Sequence, residues 1–414
     1  MTGMLKKIGA NAKEAASYVR RLASAEKNKI LTACADALEK NAAEIISANA
    51  KDMAASDPAR KAFNDRLMLN EQRISGLAEG MRKVSRQNDP TGEVLYIKTL
   101  PNGLNVGEKR VPLGVVGMIY EARPNVTTDS FALCLKAGNA CVLRGSKEAI
   151  HSNVAIVKIL QAALTRLGHP PKIVQLIEDT SRETAREFMR LNGYLDVLIP
   201  RGSAGLIQAA VENATVPVIE TGVGNCHIFV DESADLTKAV PLIINAKTQR
   251  PSVCNATEKL LIHKNIAKTF LPKICGALAA AGVKIRGCGK TCALFSAASI
   301  ASEDDWHTEF LDLIIGVKVV DDLDAAIAHI SKYSSGHTDC ILTESYTNAN
   351  EFIDLVDSAA VFVNASTRFT DGEEFGLGAE MGISTQKLHA RGPMGLTALT
   401  TTKFFVTGNG QVRG

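Results

Sequence analysis

The stretch "GVVGMIYEARPNVTTDSFALCLKAGNACVLRG", residues Gly114–Gly145, decides the fold class. It opens with a short run of apolar and β-branched residues, continues into a segment with helical character, and returns to a second short apolar run. Short apolar runs that alternate with helical segments are the pattern of a β–α–β unit, whose strands lie parallel in one sheet. The stretch therefore predicts a parallel sheet with helices packed against it.

The same alternation continues towards the C-terminus. A helix is predicted from about Glu148 to Leu167, and further apolar runs and helical segments follow it. The second half of the chain repeats the alternation less regularly, with apolar runs that include "KLLIH" and "IIGVKVV". The sequence thus predicts the α/β class, with two open, mostly parallel α/β domains.

Two regions do not fit this alternation. Residues 1 to about 88 have apolar residues at helical spacing, which predicts a set of helices. A β-hairpin is predicted around Asn102-Gly103, a dipeptide that suits a tight turn. The stretch "TTKFFVTG" near the C-terminus predicts one more strand, added to the sheet of a partner chain, because unpaired strand edges are normally covered.

The composition argues against several classes of protein. The 414 residues are 46% hydrophobic and 22% charged, which is ordinary for a globular chain, and the net charge of +3 predicts no surface for a nucleic acid. The longest apolar runs, such as Ala359–Val363, are far too short to span a bilayer. The N-terminus lacks the unbroken apolar segment of a secretory signal. We therefore expect neither a nucleic-acid partner nor a membrane partner.

The cysteines indicate a reducing compartment. Nine are scattered along the chain without a CxxC pair, which argues against a disulfide framework. Cys288 and Cys292 are four residues apart, but no second pair of ligands has matching spacing, so no metal is expected. Free cysteines in this number are typical of the cytoplasm.

Five segments carry the motifs that point to chemistry. In order they are "PLGVVGMIYEARPN" (Pro112–Asn125), "LKAGNACVLRGSKEA" (Leu135–Ala149), "IPRGSAGL" (Ile199–Leu206), "IETGVGNCHIFVDESADL" (Ile219–Leu236) and "PSVCNATEKLLIH" (Pro251–His263). In this order they resemble the aldehyde dehydrogenase superfamily, whose pattern is PxGVVGxIxPWN, AGNxVVLKPSE, a TGS turn, an ELGG turn and a QxC nucleophile. The resemblance covers nearly the whole chain and implies the aldehyde dehydrogenase-like fold.

A further stretch narrows the resemblance to one branch of the superfamily. The segment "VDDLDAAIAHISKYSSGHTDCI", Val320–Ile341, is similar to the signature of the γ-glutamyl phosphate reductases. The resemblance implies reduction of L-glutamyl 5-phosphate by NADPH to L-glutamate 5-semialdehyde and phosphate, the second step of proline biosynthesis. A homo-oligomer and contact with glutamate 5-kinase are further expectations.

The resemblance also implies what each part of the chain does. Residues 1–228 are expected to form the cofactor-binding domain, interrupted near residues 95–111 by a β-hairpin arm. Residues 229–395 are expected to form the catalytic domain with the nucleophilic cysteine, and residues 396–414 the C-terminal strand of the oligomerisation arm.

Cys254 stands at the position of the superfamily's nucleophile. A thiol can attack an acyl group, hold it as a thioester and leave again as thiolate. The thiolate form needs nearby positive charge or hydrogen-bond donors, and Lys247, Arg250 and Lys259 lie within seven residues of Cys254 in the sequence. The other cysteines are interpreted as packing residues.

Asn125 is the second expected catalytic residue. It takes the place of the asparagine in the family's PWN turn, although this chain has Arg123-Pro124-Asn125 without a tryptophan. Its side-chain amide and the backbone N–H of Cys254 are expected to stabilise the oxyanion of the tetrahedral intermediate. The alternative is a plain asparagine in a turn after a proline.

The cofactor-binding residues implied by the resemblance come from three of these segments and from Glu309, which matches the family's glutamate that holds the nicotinamide ribose. Arg144 takes the place of a lysine of the family pattern, and Lys147 takes the place of a glutamate. A carboxylate at this place would repel the 2′-phosphate of NADPH, whereas two cations attract it. NADPH is therefore the expected cofactor. We expect Glu220 to line the nicotinamide pocket, or alternatively to cap the turn, rather than to act as a general base, because hydride resolves this thioester and no water is activated. The expected set is Arg144, Ser146, Lys147, Gly202, Ser203, Glu220 and Glu309.

Two residues are expected to contact the substrate, and two other functions stay open. Arg250 and His337 are the substrate candidates. For His337, a buried histidine that forms a hydrogen bond to the backbone is an equal alternative.

The first alternative function is that of a hydrolytic NAD(P)-dependent aldehyde dehydrogenase. The second is a scaffold without catalytic activity, against which the presence of Cys254 and Asn125 argues.

Overall fold

The computed structural model describes residues 3–413, apart from the side chains of Lys61 and Ala62, and the chain divides into two compact units. The first unit runs to Thr221 and includes Gly376–Gly382 and the chain from Met394 onward. The second unit comprises Gly222–Phe375 and Ile383–Pro393. Residues 1, 2 and 414, which the expected domains include, lie outside the described residues.

The boundary between the units falls earlier than the expected position between residues 228 and 229. The chain stays with the first sheet as far as Val218, which forms a parallel bridge with Leu198. The first unit therefore ends at Thr221, and two short later segments return to it. The roles expected for the two domains stay predictions.

The helices of the first unit include the set predicted for its N-terminal part. They are α1 (Gly3–Val19), α2 (Ser24–Lys40), α3 (Ala42–Ala54), α4 (Lys61–Leu67), α5 (Glu71–Arg86), α6 (Pro124–Lys136), α7 (Ile150–Arg166), α8 (Arg182–Phe188) and α9 (Ala204–Asn213), with 3-10 helices at Lys147–Ala149, Pro171–Ile173 and Thr397–Leu399.

The first unit holds a parallel sheet of four strands. They are β3 (Val115–Tyr120), β4 (Ala140–Gly145), β5 (Val174–Leu176) and β6 (Val197–Arg201), in the order β5-β4-β3-β6. All residues of β3 and β4 are buried, as expected for central strands with both faces covered. The strand order reverses between β3 and β6, and such a reversal opens a crevice at the carboxyl ends of the strands.

The predicted hairpin forms the arm, a separate antiparallel sheet. Its strands are β1 (Val94–Thr99), β2 (Asn105–Pro112) and, from the C-terminus, β16 (Thr400–Thr407), in the order β1-β2-β16. The C-terminal strand joins this arm, whereas its addition to the sheet of a partner chain stays a prediction. It pairs with β2 of its own chain, from Thr400 opposite Pro112 to Thr407 opposite Asn105, and so satisfies the backbone groups on that side of the hairpin.

The second unit contains the remaining elements. Its helices are α10 (Leu236–Thr248), α11 (Lys264–Ala280), α12 (Gly289–Leu294), α13 (Glu303–His307), α14 (Leu323–Tyr333) and α15 (Tyr346–Leu355), with a 3-10 helix at Thr367–Phe369. Its strands are β7 (Cys226–Val230), β8 (Thr257–His263), β9 (Lys284–Gly287), β10 (Ser299–Ile300), β11 (Ile314–Val320), β12 (Thr338–Leu342), β13 (Ala360–Val363), β14 (Ile383–Ser384) and β15 (Gly392–Pro393).

Seven of these strands form one parallel sheet with helices on both faces. The order is β10-β9-β11-β8-β7-β12-β13. Successive side chains of a strand point to opposite faces, and β7 shows this clearly. Ile228 and Val230 belong to one hydrophobic cluster, with residues of α10 and α11, while Phe229 belongs to a second cluster with residues of α14 and α15.

The predicted fold class is confirmed by these two parallel sheets and the separate β arm. The β–α–β pattern read from Gly114–Gly145 corresponds to β3, α6 and β4. Nowhere in residues 3–413 is a helix both long and apolar enough to cross a membrane.

Candidate active site

Cys254 lies in the loop between α10 and β8 and is partly exposed. Cys226, at the start of β7, is buried beneath this loop, and its Sγ donates to the carbonyl oxygen of Cys254 at 3.1 Å. Burial raises the pKa of the Cys226 thiol well above its usual range, so this sulfur stays protonated and remains a donor. The two neighbouring cysteines therefore differ in accessibility: one is a buried donor and the other can meet a substrate.

A glycine permits the close packing of the Cys254 loop. A Cβ on Gly224 would lie 1.5 Å from the carbonyl oxygen of Cys254, so no other residue fits without moving the loop. The Gly224 N–H donates to Glu309 Oε1 at 2.7 Å. Glu309 thus anchors the segment beneath the nucleophile through one carboxylate oxygen, and its expected contact with the cofactor ribose stays a prediction.

The residue after the nucleophile ties the loop to a distant turn. Asn255 Nδ2 donates to the carbonyl oxygens of Thr370 at 2.9 Å and Arg368 at 3.3 Å, and Thr367 Oγ1 donates to the carbonyl oxygen of Asn255 at 2.7 Å. Since these groups are buried, exchange of the bonds with water is restricted. The turn at residues 367–370 is thereby held against the loop of Cys254.

Arg368, on this turn, is a functional candidate that the sequence did not reveal. Its Nε donates to Gln249 Oε1 at 2.7 Å, which holds the guanidinium near the start of the loop. Burial lowers the pKa of Arg368. The negative charge of Cys254 favours the charged form of Arg368, and the positive charge of the neighbouring Arg250 disfavours that form. Arg368 lies 113 residues after Asn255, so no local motif could connect it with the nucleophile.

Two lysines expected near the thiolate are buried in another network. Lys247 Nζ lies 3.0 Å from Glu258 Oε2, and both side chains have no exposed surface. Lys259 is also fully buried, and its Nζ donates to Asn225 Oδ1 at 2.6 Å. Burial lowers the pKa of Lys259 to about 8 and raises that of Glu258 to about 7. The positive charge next to Cys254 therefore comes from Arg250 and Arg368, whereas Lys247 and Lys259 stabilise the interior of the second unit.

The two substrate candidates differ in exposure. Arg250 is exposed and lies close enough to Arg368 to lower the pKa of the Arg368 guanidinium. His337 is fully buried, its Nδ1 lies 2.8 Å from Thr338 Oγ1, and it packs near Cys226. The burial of His337 favours the alternative of a packing histidine over binding of phosphate or carboxylate.

Asn125 lies in the first turn of α6, directly after Pro124. It is exposed, and its Nδ2 donates to Asp129 Oδ2 at 3.1 Å. Burial raises the pKa of Asp129 to about 6, although the Asn125 amide opposes the rise. An amide nitrogen carries two hydrogens, so the bond to Asp129 orients Asn125 and leaves one hydrogen for an oxyanion.

Arg144, Ser146 and Lys147 follow one another at the carboxyl end of β4. Arg144 is only 8% exposed, and its Nη2 donates to the carbonyl oxygens of Thr180 and Ser181 at 2.6 and 3.0 Å. Burial lowers the pKa of Arg144. Lys147 is exposed at the start of a 3-10 helix. Lys147 is thus the accessible cation here, while Arg144 faces backbone oxygens.

Ser146 also supports the neighbouring strand. Its Oγ accepts a hydrogen bond from the backbone N–H of Ala122 at 3.2 Å. The bond links the end of β4 to the segment that leads from β3 to α6, and so to Asn125. Ser146 therefore joins the expected cofactor residues to the expected oxyanion residue within one unit.

Gly202 and Ser203 form the turn that opens α9, next to the crevice between β3 and β6. Ser203 is the N-cap of the helix. Its N–H donates to Glu121 Oε2 at 2.8 Å and its Oγ donates to Oε1 at 2.9 Å. A Cβ on Gly202 would lie 2.8 Å from the same carboxyl group. The turn thus binds an anionic group through the donors that a phosphate would use at a helix N-terminus.

Glu220 is half-buried and follows the bridge formed by Val218. It lies two residues before the start of the second unit. Its expected place in the nicotinamide pocket stays a prediction. The described residues contain no group of three or more His, Cys, Asp or Glu side chains placed to hold a metal ion.

The expected residues are thus assembled in two places. In the second unit, Cys254 and Arg250 lie on one loop, and Glu309 holds the segment beneath it. In the first unit, the candidates lie at the carboxyl ends of neighbouring parallel strands and on the segments that follow them. These are Asn125, Arg144, Ser146, Lys147, Gly202 and Ser203.

Comparison with known proteins gives consistent results. The sequence profile described as "Aldehyde dehydrogenase family" matches residues 4–286. A γ-glutamyl phosphate reductase of Caldicellulosiruptor bescii is 58% identical over 407 residues, 97% of this chain and 97% of that protein. Its counterpart from Carboxydothermus hydrogenoformans is 58% identical over 409 residues, 98% of this chain and 99% of that protein.

A solved structure agrees over the whole chain. The crystal structure of the γ-glutamyl phosphate reductase from Thermotoga maritima is similar with a TM-score of 0.96 and 51% identity, and covers 99% of this chain and 100% of that one. Together with the family profile and the identities above, this similarity shows that the chain belongs to the aldehyde dehydrogenase family and, within it, to the γ-glutamyl phosphate reductases.

Proposed function

We propose that this enzyme reduces L-glutamyl 5-phosphate to L-glutamate 5-semialdehyde and phosphate, with NADPH as reductant, in the second step of proline biosynthesis. The observation that carries the proposal is the accessible thiol of Cys254 on a loop fixed from below by Gly224 and Asn255, with Arg368 beside it. The relatives at 58% identity bear the name of this activity.

We also propose that the protein is located in the cytoplasm, since its cysteines are free.

The first step is attack of the Cys254 thiolate on the acyl carbon. A bond forms between sulfur and carbon, and the carbonyl oxygen takes up the electron pair. Arg368 and Arg250 favour the thiolate because a positive charge stabilises the anionic form of a neighbouring thiol. The same guanidinium groups suit the phosphoryl group of the substrate, which a planar fork of N–H donors can bind in bidentate fashion.

The oxyanion needs donors placed before the reaction. We assign this role to Asn125 and the backbone N–H of Cys254. Asp129 orients the Asn125 amide, and Gly224 and Asn255 fix the backbone of the nucleophile loop. Loss of one such donor typically costs about 3 kcal/mol of transition-state stabilisation.

Collapse of the oxyanion breaks the bond between the acyl carbon and the phosphate oxygen. Phosphate takes the electron pair and leaves as an anion, so a general acid is not required. When bound, the nicotinamide cofactor supplies the hydride that reduces the thioester. Expulsion of the Cys254 thiolate from the thiohemiacetal then releases the aldehyde and restores the enzyme.

The residues at the edge of the first sheet fit a nicotinamide dinucleotide. Ser203, which follows Gly202 in the turn, already binds the carboxylate of Glu121 through its N–H and its hydroxyl, donors suited to a phosphate oxygen. We propose that the pyrophosphate replaces this carboxylate and that Lys147 attracts the 2′-phosphate of NADPH. Arg144 contributes by holding the segment at Thr180 and Ser181.

Lys147→Glu is expected to lower kcat/KM for NADPH by about tenfold or more and that for NADH much less. The reason is that a charge-assisted hydrogen bond contributes roughly 1.5–3 kcal/mol, and the new carboxylate would repel a 2′-phosphate. Steady-state kinetics with both cofactors measure the effect. Lys158→Glu, the same change at an exposed position of α7, is the control. Equal losses with both cofactors would contradict the assignment of Lys147.

Hydrolytic aldehyde oxidation is the function to be separated from the proposal. In the reverse direction the proposed enzyme needs inorganic phosphate to release the acyl group from Cys254, whereas a hydrolytic enzyme uses water. We therefore expect NADP-dependent oxidation of L-glutamate 5-semialdehyde that rises from zero with phosphate concentration. Oxidation at full rate without phosphate would contradict the proposal and support the hydrolytic function.

We also propose that the arm forms a homo-oligomer and that glutamate 5-kinase delivers its unstable acyl phosphate to this enzyme. Tyr96, Phe404 and Val406 are exposed apolar residues of β1 and β16, and the register places them on the same face of the arm. Exposed apolar surface of this kind is typical of an interface.

Truncation after Leu399, which removes β16, is expected to give a smaller species in sedimentation velocity than the full chain. Phe404→Lys should have the same effect without loss of the strand, because a charge would be buried in the interface. Lys403→Ala, on the other face of β16, is the control. A full-length chain that is monomeric at micromolar concentration would exclude this role of the arm.

A further inference from the structure

The turn at residues 367–370 attaches Arg368 to both flanks of the nucleophile loop. The Arg368 Nε donates to Gln249 Oε1 at 2.7 Å, and the Arg368 carbonyl oxygen accepts from Asn255 Nδ2 at 3.3 Å. Gln249 precedes Cys254 in the sequence and Asn255 follows it directly. Arg368 is therefore held beside this loop through its side chain on one flank and through its backbone on the other.

Buried hydrogen bonds fix the backbone of the same turn. Ser366 Oγ donates to Asn245 Oδ1 of α10 at 2.8 Å and accepts from the Arg368 N–H at 3.3 Å. Thr367 Oγ1 lies 3.1 Å from Thr257 Oγ1 at the start of β8. Ser366, Thr367 and Thr257 are buried, so these bonds are shielded from water. The position of Arg368 is thus set by the fold, which lowers the entropic cost of binding a ligand there.

The guanidinium of Arg368 has donors to offer to a ligand. The side chain is half-buried, and within residues 3–413 its guanidinium donates to one residue, through Nε to Gln249. In that part of the chain no carboxylate forms an ion pair with it. A guanidinium presents its N–H groups in a planar fork that matches the oxygens of a phosphate or carboxylate. The N–H groups of both terminal nitrogens can therefore bind an anion.

The charge at this place favours a phosphoryl group. Arg250, on the loop of Cys254, is close enough to Arg368 to disfavour its charged form, so an anion that contacts both guanidinium groups relieves their repulsion. A phosphoryl group carries close to two negative charges at neutral pH. The α-amino-acid head of the substrate instead carries one charge of each sign, and its ammonium group would be repelled. The two arginines therefore match the phosphoryl end of the substrate.

We propose that Arg368 binds the phosphoryl group of the acyl phosphate and, in the reverse direction, the inorganic phosphate that accepts the acyl group, and that this contact selects phosphate over water as the acceptor. The inference rests on the proposed function, in which Cys254 carries the acyl group as a thioester. Phosphate held by the fork of Arg368 is oriented towards the acyl carbon, whereas an uncharged water molecule gains little from this guanidinium.

The reverse step balances without an added acid or base. An unprotonated oxygen of hydrogen phosphate attacks the thioester carbon, and a carbon–oxygen bond forms. The carbon–sulfur bond then breaks, and its electron pair returns to Cys254 as thiolate. Because the attacking oxygen carries no proton and the thiolate is a stable leaving group, Arg368 has only to bind and orient the phosphate.

Oxidation of L-glutamate 5-semialdehyde with NADP and phosphate tests the proposal. Arg368→Gln is expected to lower kcat/KM for phosphate by roughly 30-fold, within the range for loss of a charge-assisted hydrogen bond, and kcat/KM for the aldehyde by less than about threefold. Arg368→Lys keeps the charge without the planar fork and should restore part of the loss. Lys268→Gln, which removes an exposed positive charge of α11 in the same unit, is the control.

The first turnover separates this role from the effect of Arg368 on the thiolate. Without phosphate, one NADPH per active site forms as the semialdehyde acylates Cys254, at a rate that depends on the thiolate and not on phosphate. We expect Arg368→Gln to keep this burst within about threefold of the wild-type rate. Its thioester should then react with added phosphate roughly 30-fold more slowly than that of the wild type. Equal slowing of the burst and of the phosphate step would reduce Arg368 to a residue that acts on the thiolate, and would overturn the inference.

Binding of inorganic phosphate gives a readout that does not depend on turnover. Broadening of the phosphorus NMR line of phosphate measures it without aldehyde, in the presence of saturating NADP so that the cofactor's own phosphate contacts are occupied. We expect broadening with the wild type and with Lys268→Gln, reversed by sulfate as a competing dianion, and much less broadening with Arg368→Gln. The same broadening in all three proteins would contradict the assignment.

The outcomes separate this inference from the proposed function. A lower kcat/KM for the aldehyde in Arg368→Gln, with that for phosphate unchanged, would assign the guanidinium to the α-carboxylate of the substrate and overturn the inference. Oxidation by the wild type that does not depend on phosphate would overturn the proposed function. Phosphate-dependent oxidation with the same kcat/KM for phosphate in Arg368→Gln and the wild type would overturn this inference alone.

Discussion

Replacing Cys254 with serine is expected to abolish turnover and to leave NADPH binding close to that of the wild type. A hydroxyl is a far weaker acid than a thiol, so almost no nucleophile would exist at neutral pH, and the ester that it would form is a poorer hydride acceptor. Arg368 and Arg250 favour a thiolate, but they cannot ionise a serine to a useful extent. Steady-state reduction and a fluorescence titration with NADPH measure the two properties.

Cys288→Ser is the matched control for this variant. Cys288 is another partly exposed free cysteine of the second unit, and its replacement should leave activity unchanged. Residual activity of Cys254→Ser above about a tenth of the wild type, a loss worth less than about 1.4 kcal/mol, would be incompatible with a sole nucleophile. A variant that no longer binds NADPH would indicate that the thiol has a structural role as well.

Gly224→Ala is expected to reduce kcat by about a hundredfold or more. The added methyl group would overlap the carbonyl oxygen of Cys254, so the loop has to shift, and a displacement of about 1 Å at a reacting group can cost this much. The shift would also disturb the Cys254 N–H that we assign to the oxyanion. Strain of this kind is expected to lower the free energy of unfolding by about 1–3 kcal/mol.

Gly276→Ala provides the comparison for the effect of a methyl group alone. Gly276 lies in α11 with no other atom within 4 Å of an added Cβ. Alanine is favoured over glycine in a helix by about 0.5–1 kcal/mol, so this variant should be slightly more stable and fully active. Thermal unfolding and steady-state kinetics on both variants make the test. Wild-type activity and stability in Gly224→Ala would contradict the close approach of the two segments.

The local sequence pattern was sufficient to predict much of the fold. The alternation of apolar runs and helical segments predicts β3, α6 and β4 correctly, because a central parallel strand is buried on both faces and is therefore a short, continuous apolar run. Asn102-Gly103 predicts the hairpin for a similar local reason, since the turn requires a residue that tolerates a positive φ, and Gly103 has a φ of 81°.

Motif order was sufficient to find the candidate nucleophile and the family. Cys254 and Asn125 lie in segments whose residues are close together in the sequence, and the family profile and the relatives confirm the membership that these motifs predict. The exact end of the first unit was not predictable in this way. It depends on the bridge between Val218 and Leu198, a pairing that no property of either segment alone reveals.

The tertiary structure decided which positively charged side chains lie near the nucleophile. Lys247 and Lys259 are close to Cys254 in sequence, but the helix and the strand that carry them turn both side chains into the interior, where Glu258 and Asn225 bind them. Arg368 reaches the loop instead, because Asn255 binds the turn at residues 367–370.

The sequence by itself thus determined the α/β class, the hairpin, the candidate nucleophile and the family, since these depend on periodicity and on short ordered motifs. Only the tertiary structure decided that β16 pairs with the arm of its own chain, that Glu309 holds Gly224, and that Arg201 Nη2 lies 3.9 Å from Glu380 Oε1. In each case the partners come from segments far apart in the chain, and only packing of the elements against one another brings such side chains to within a few ångströms.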